Sequence, residues 1–281
     1  MAVALEHILR MKGGAQSHLL RCRYKDHLGE IRDDGYFVVK FRNNPQHVRI
    51  LANELLASKL AEFVGIPVPQ VEQVEVSKEL VEGTPELRME QAGGMAGVEL
   101  CATGRQIGSR FPGNPRHTPV FDWVPDDTLD ELENRDVFKG TLVFDQWLCN
   151  TDGRQTVFYR SPKTRRYRAL MIDQGYCFND GEWNFPDAPL WGLYLRRRVY
   201  EDVTGWNSFE PWLTRIEQMN PGVIERFFLD VPRAWCGYDG PEAGEAQLEG
   251  LYTRVVKRRE KVRDLLLAVK RSSANPFPKW V

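Results

Sequence analysis

The sequence predicts an α+β protein in two lobes: a small antiparallel sheet with one main helix over residues 1–111, and a larger, mainly helical part over residues 112–281. Three observations predict it. The first quarter carries short strand-like runs of apolar residues around a single helical period. A proline-rich stretch, Pro112–Pro125, then interrupts both patterns, because proline resists helix interiors and central strands alike. Beyond it, apolar residues recur mostly at helical spacing.

Ser17–Tyr24 and Tyr36–Phe41 read as the strands of a hairpin, joined by the turn-rich Lys25–Gly35 with its Gly29, Asp33, Asp34 and Gly35. Asn43-Asn44-Pro45 opens a helix over Gln46–Val64, where Val48, Leu51, Leu55, Leu56, Leu60 and Phe63 mark one face. Gly65 ends it, with Pro67 and Pro69 just beyond. Val71–Val76 alternates as an edge strand does. Glu82–Gly97 is Gly- and Glu-rich without a pattern and reads as a mobile loop, and Gln106–Phe111 as a short strand. After the boundary, Thr128–Cys149 reads as one helix. Thr156–Arg160 and Tyr167–Ile172 read as strands around the basic turn Ser161–Arg166. The remainder reads as helices ending in Ala246–Arg271, striped by Leu248, Leu251, Val255, Val262, Leu266 and Val269.

Composition narrows the function. A chain of 281 residues, 42% hydrophobic and 27% charged, is ordinary for a soluble globular protein. With 38 basic and 39 acidic residues, its net charge of −1 gives no global argument for nucleic acid or an anionic membrane as partner. The basic side of the last helix and Arg196-Arg197-Arg198 read as solvated surface. The opening MAVALEHILRMKGG lacks the apolar core of a signal peptide, and no run approaches the ~20 apolar residues of a membrane span. Five scattered cysteines without CxxC spacing read as reduced thiols, so a cytoplasmic location is expected.

Four features carry candidate chemistry. Lys12-Gly13-Gly14-Ala15-Gln16-Ser17 precedes a strand; glycines let backbone N–H groups approach phosphate, although most Gly-Gly pairs are plain turns and no GxxxxGK[ST] is present. Lys40 lies between Val39 and Phe41, where an ammonium needs a partner unless its face is wet. Glu54, beside Leu51 and Leu55, can reach Lys40 if the helix packs on the sheet. Finally, Asp145 to Gln155, rich in Asp and Asn, is followed by a hairpin and by Ile172-Asp173-Gln174-Gly175. Asp173 after an apolar strand suits a metal ligand on a tight turn, and Asp152 suits a residue that orients or deprotonates a hydroxyl; ordinary turn and cap positions are the lesser reading of both.

Lysine strand, glutamate helix, loop aspartate and D-x-G turn, in that order, form the protein-kinase-like layout. More specifically, the chain resembles the HipA-like kinase family in MKGGAQSHLLRC, YFVVKFRNN, ILANELLASKLAEFVGIPVP, LVFDQWLCNTDGRQTVFY and MIDQGYCF, with WNFPDAPLWGLY and FEPWLTRIE downstream. The resemblance implies an ATP- and magnesium-dependent phosphotransferase acting on a Ser or Thr of a protein acceptor. It implies that Gly13, Gly14, Ala15, Gln16 and Ser17 cover the phosphates, that Lys40 contacts them, and that Glu54 pairs with Lys40. Asp152 becomes the catalytic-loop carboxylate and Asp173 the chief magnesium ligand. Ser17 is also a candidate for self-phosphorylation, and equally a backbone-bonding turn residue.

One position departs from the pattern. Such kinases usually carry an Asn five residues after the loop Asp as a second metal ligand, and here that residue is Val157. A loop shortened by two residues offers Gln155 instead, with Asn150 as the alternative, and Arg154 stands where His is common. The departure leaves open a nucleotide-binding pseudokinase that performs no transfer; a small-molecule acceptor stays open because a fold does not fix the substrate, and nucleotidyl transfer because a reversed ATP would use the same parts.

Overall fold

The computed structural model describes residues 1–90, 97–161, 164–237 and 241–281. Its N-terminal strands curl into a closed barrel in the order β1-β2-β3-β7-β4, comprising β1 (Ala2–Arg10), β2 (His18–Lys25), β3 (Ile31–Lys40), β4 (Val71–Val76) and β7 (Gly104–Arg110). This corrects the expected open antiparallel sheet. The first residues form an unpredicted strand, and β1 runs parallel to β4, pairing Ala2 with Val74 and Val3 with Glu75. Val71–Val76 is therefore not an edge: closure gives it a partner on each side.

Local chemistry explains where elements start and stop. The expected turn Lys25–Gly35 shrinks to its first half, because Asp26 Oδ1 accepts from the Leu28 and Glu30 N–H groups at 2.9 and 3.0 Å and lets β3 start at Ile31. Gly35 is a strand residue: a Cβ there would lie 2.5 Å from the Tyr24 ring. Helix α1 (Arg49–Val64) starts three residues later than Gln46, since Asn44 Oδ1 accepts from the N–H groups of Gln46 and His47 and holds them in a turn. Gly65 closes α1 at φ +87, as expected.

Helix α2 (Lys78–Gly83) is capped by Ser77 and followed by a hairpin of β5 (Arg88–Glu90) and β6 (Val98–Leu100). The stretch expected as a mobile loop thus contains helix and strand; its residues 91–96 lie outside the described residues. Within the proline-rich boundary, β8 (Val120–Phe121) pairs with β9 (Gln155–Arg160), which pairs with β10 (Tyr167–Ile172). Residues 162 and 163 of the turn between those two strands are likewise outside the description.

Two expected long helices are broken. Thr128–Cys149 divides into α3 (Asp126–Asp130) and α4 (Val137–Leu148), because the Asn134 carboxamide exchanges two hydrogen bonds of 2.9 Å with the Ala169 backbone and holds the chain between them out of helix. After α5 (Trp212–Glu217) and α6 (Pro221–Leu229), the last helix divides into α7 (Pro241–Arg258) and α8 (Val262–Arg271) around the tighter turn Arg259–Lys261.

The apolar residues form two cores. Leu20, Phe37, Val39, Phe41, Val74 and Val76 fill the barrel. The larger core joins α1 to α4 and the C-terminal helices through Leu51, Leu55, Phe144, Trp147, Leu251 and Leu266. Each such side chain, buried fully, contributes about 1.5–3 kcal/mol. Among the described residues no helix is long and apolar enough to cross a membrane.

Candidate functional site

Strand β3 ends on Lys40, only 7% exposed. An ammonium so placed needs anions, and the chain supplies two from distant elements. Lys40 Nζ donates to Glu54 Oε2 of α1 at 2.7 Å and to Asp173 Oδ1, just after β10, at 2.7 Å. Glu54 Oε2 also accepts from the Gln174 N–H at 3.1 Å, so the helix carboxylate grips both the lysine and the turn that follows Asp173. Burial alone would drive the Lys40 proton off, but Asp173 and Glu54 overcome it and raise its pKa. Burial likewise pushes the Asp173 carboxyl up, while Lys40, the Gly175 N–H and Arg154 together hold it below the usual carboxylate range. Asp173 itself takes a left-handed backbone, φ +58, which costs energy in a non-glycine residue and is common at functional turns.

The loop after α4 is organised from beneath. Asp145 of α4 and Arg154 are both buried and form a bidentate pair. Burial raises the Asp145 pKa, and Arg154 and Asn150 pull against it. Arg154 Nη1 also donates to the carbonyl of Ile172 at 2.9 Å, fastening this loop to the residue before Asp173. Asp152 Oδ1 accepts from the Gly153 N–H at 2.7 Å, and its Oδ2 accepts from Gln155 Nε2 at 3.0 Å. Asn150 is buried with both ends engaged: Nδ2 donates to Asp145 at 3.1 Å and Oδ1 accepts from the Asp152 N–H at 3.2 Å. Gln155 reaches the cleft and Asn150 does not.

The cleft, about 190 Å³, is lined by polar Lys12, Ser17, Lys40, Glu54, Gln155 and Asp173 and by apolar residues that include Val38, Val157, Leu170 and Ile172. Such a mixed lining suits a ligand with an apolar part and an anionic part. Gly13, at φ +126, and Gly14 are exposed, in the turn between the cleft residues Lys12 and Ser17. A Cβ on Gly14 would stand 3.1 Å from Gln46 Nε2. Ala15 is buried, and Ser17 lines the cleft. Gln16, by contrast, turns its side chain away toward β5.

Three participants escaped the sequence reading. Gln46 Nε2 donates to the Tyr176 hydroxyl at 2.8 Å beneath the glycine-rich turn. Tyr176 also accepts, through its carbonyl, from the Thr151 N–H at 3.2 Å. Asn53, fully buried beside Glu54, donates to the carbonyls of Gly175 and Asp180 at 2.7 and 2.8 Å and accepts from Trp183 Nε1 at 2.7 Å. Its signal was available: a polar residue next to Glu54, inside the apolar run Ile50–Leu56.

A hard divalent cation fits this donor set. Asp173 and Gln155 both line the cleft, and a carboxylate and an amide each offer an oxygen donor. Among the described residues no group of three or more His, Cys, Asp or Glu is gathered for a metal. Magnesium bound beside phosphates needs no such cage, since phosphate oxygens and water complete its shell. A second cavity, about 360 Å³, lies elsewhere along α7; its Arg49 and Arg254 donate to the carbonyls of Cys236, Gly181 and Trp183.

Comparison with known proteins speaks to the family and the fold. The sequence pattern of a family described as HipA-like kinase matches residues 17–180. The structure is similar to that of the Helicobacter pylori proinflammatory kinase CtkA, with TM-score 0.56 and 15% identity over 95% of this chain and 97% of that one. It is also similar to the Golgi casein kinase, with TM-score 0.53 and 10% identity over 97% of this chain and 73% of that one. At these identities the likeness shows a kinase-like fold. None of the curated proteins matches the chain in sequence.

Proposed function

The chain belongs to the HipA-like kinase family, and from that premise we propose that it transfers the γ-phosphoryl group of ATP, with magnesium, to a serine or threonine hydroxyl of a protein. The observation that carries the reading is the convergence on Lys40 of Glu54 and Asp173, each at 2.7 Å, from a helix and from a loop 133 residues away. Residues 1–111 and 112–281 are read as the two lobes, with the nucleotide in the cleft between them.

The roles follow from the donors and acceptors. An ammonium has three N–H donors; two hold Glu54 and Asp173, and the third is left for a phosphate oxygen. Asp173 and the Gln155 amide oxygen would hold the magnesium, whose charge neutralises the phosphates. Gln155 Nε2 restrains the Asp152 carboxylate, whose remaining lone pairs orient the acceptor hydroxyl and receive its proton. The acceptor oxygen bonds to the γ-phosphorus, the bond to the β,γ-bridging oxygen breaks, and ADP leaves with that electron pair. Positioning and charge stabilisation supply nearly all of the catalysis in this reaction class.

A second reading, a nucleotide-binding module without transfer, has one specific observation in its favour: Val157, where such kinases usually carry the second metal-binding Asn, lines the cleft with an apolar side chain. Incubation with ATP and magnesium, following nucleotide products and intact mass, separates the two. Phosphoryl transfer predicts ADP or a phosphate adduct, lost in Asp173→Ala and Asp152→Ala. An AMP adduct would redirect the reading to nucleotidyl transfer, ATP binding without products supports the module, and no ATP binding refutes both.

A further inference from the structure

The glycine-rich turn is fastened to a strand outside the barrel. Gln16 takes a left-handed backbone, φ +47, and its N–H closes the turn on the Gly13 carbonyl at 3.1 Å. Its carboxamide then pairs with the backbone of Glu90 in β5 as another peptide group would. Nε2 donates to the Glu90 carbonyl at 2.8 Å, and Oε1 accepts from the Glu90 N–H at 2.9 Å. The same Oε1 accepts from Arg10 Nη2 at 2.6 Å, and Arg10 Nη1 donates to Glu90 Oε1 at 2.9 Å. The other strand of the hairpin is held at the opposite end. Asn43 Nδ2 donates to the Leu100 carbonyl at 2.9 Å, and the Ala102 N–H donates to Asn43 Oδ1 at 2.9 Å. Asn43 follows closely on Lys40, so the β5–β6 hairpin spans from the glycine-rich turn to the end of the strand that carries the cleft lysine.

We infer that Gln16 is a positioning residue: it sets the glycine-rich turn in its nucleotide-ready form through the β5–β6 hairpin and makes no contact with the nucleotide. The inference rests on the ATP-binding reading above. Ordering the turn before the ligand arrives moves its conformational entropy out of the binding step and into folding. Losing the fastening therefore weakens nucleotide affinity and leaves the chemistry at Asp152 and Asp173 untouched.

The test compares the full chain with Gln16→Ala and with Gln16→Glu, which keeps the side-chain size but sets a carboxylate oxygen against the Glu90 carbonyl. Three readouts are needed: amide hydrogen exchange over residues 13–17 without nucleotide, the Kd for ATP with magnesium, and kcat with KM. Faster exchange in the nucleotide-free variants is expected, with Kd and KM raised about tenfold, the equivalent of about one net hydrogen bond, and kcat within about twofold. Unchanged exchange with weakened binding would mean that Gln16 touches the nucleotide, and would overturn the inference. So would unchanged exchange and unchanged affinity, or a loss confined to kcat. If the unsubstituted protein binds no ATP, the functional reading fails and this inference with it. That outcome is recognisable because exchange over residues 13–17 still rises in the variants.

Discussion

Arg154→Ala tests whether the buried pair beneath the catalytic loop organises the site. Arg154 is 3% exposed and Asp145 is fully buried, so the substitution leaves a carboxylate in the interior with only the Asn150 amide, at 3.1 Å, as partner. Breaking one side of such a pair costs about 3–5 kcal/mol. The Ile172 carbonyl also loses its donor, worth about 1–3 kcal/mol. Asp145 can take up a proton and relieve part of this, so the lower end of the range, about 4 kcal/mol, is the expectation. Against a total stability of about 5–15 kcal/mol, the variant remains measurable, with Tm lowered by about 10 °C. Urea denaturation followed by tryptophan fluorescence supplies the number. The double variant Asp145→Leu/Arg154→Met replaces the pair with apolar bulk and should regain most of the stability. It should not regain full activity, because the tie from Arg154 to the Ile172 carbonyl, next to Asp173, is still missing. Stability of Arg154→Ala within about 1 kcal/mol of the parent would refute the energetic argument. Full activity in the double variant would refute the positioning argument.

Two further outcomes follow from the same geometry. Asn53→Leu leaves the Gly175 and Asp180 carbonyls and the Trp183 indole N–H without their partner, at about 1–3 kcal/mol for each group that stays buried; lower stability, altered Trp183 fluorescence and strongly reduced turnover are expected, and native fluorescence with native turnover would contradict it. His18 is held neutral down to about 4 by burial, by His7 and by Arg10, against an ordinary value near 6.5. The unfolded chain therefore takes up this proton at a higher pH than the folded one, and stability from this group is complete above pH ~6.5 and lost as pH falls toward 4, by about 3 kcal/mol. His18→Phe should flatten that part of the stability profile, and an unchanged slope would remove the assignment.

The sequence made some of the site legible because charge in an apolar run demands a partner. Lys40, Glu54 and Asp173 each interrupt or end such a run, and each finds another of the three. Gln46 and Tyr176 interrupt nothing, and their pairing becomes visible only when the chain is folded. Gln16 lay inside the recognised motif and was expected to cover phosphates, yet its side chain serves the hairpin; position in a motif does not fix the direction of a side chain. Strand and helix types were readable from apolar period, whereas barrel closure was not. It depends on a parallel pairing between residues 2–3 and 74–75, and β1 alternates clearly only over its buried start at Ala2 and Ala4. The break between α3 and α4 has the same origin, since one distant backbone contact through Asn134 overrides the local period.

Helix α1 makes the site a single unit. Its Arg49 donates to the carbonyls of Gly181 and Cys236, Asn53 one turn later holds Gly175 and Asp180, and Glu54 grips Lys40 and Gln174. The segment so held contains Asp173, Phe178, Asn179, Asp180 and Trp183, all with left-handed backbone. Each left-handed residue costs about 1–2 kcal/mol, less for Asn and Asp, so the segment keeps this path only while its anchors outweigh the strain. The anchors lie on one helix, most of whose other residues are buried in the core. Displacing α1 would release Asn53 from the strained segment and Glu54 from Lys40 in one movement. The position of Asp173 in the cleft is therefore set as much by the packing of α1 as by the strand that precedes it.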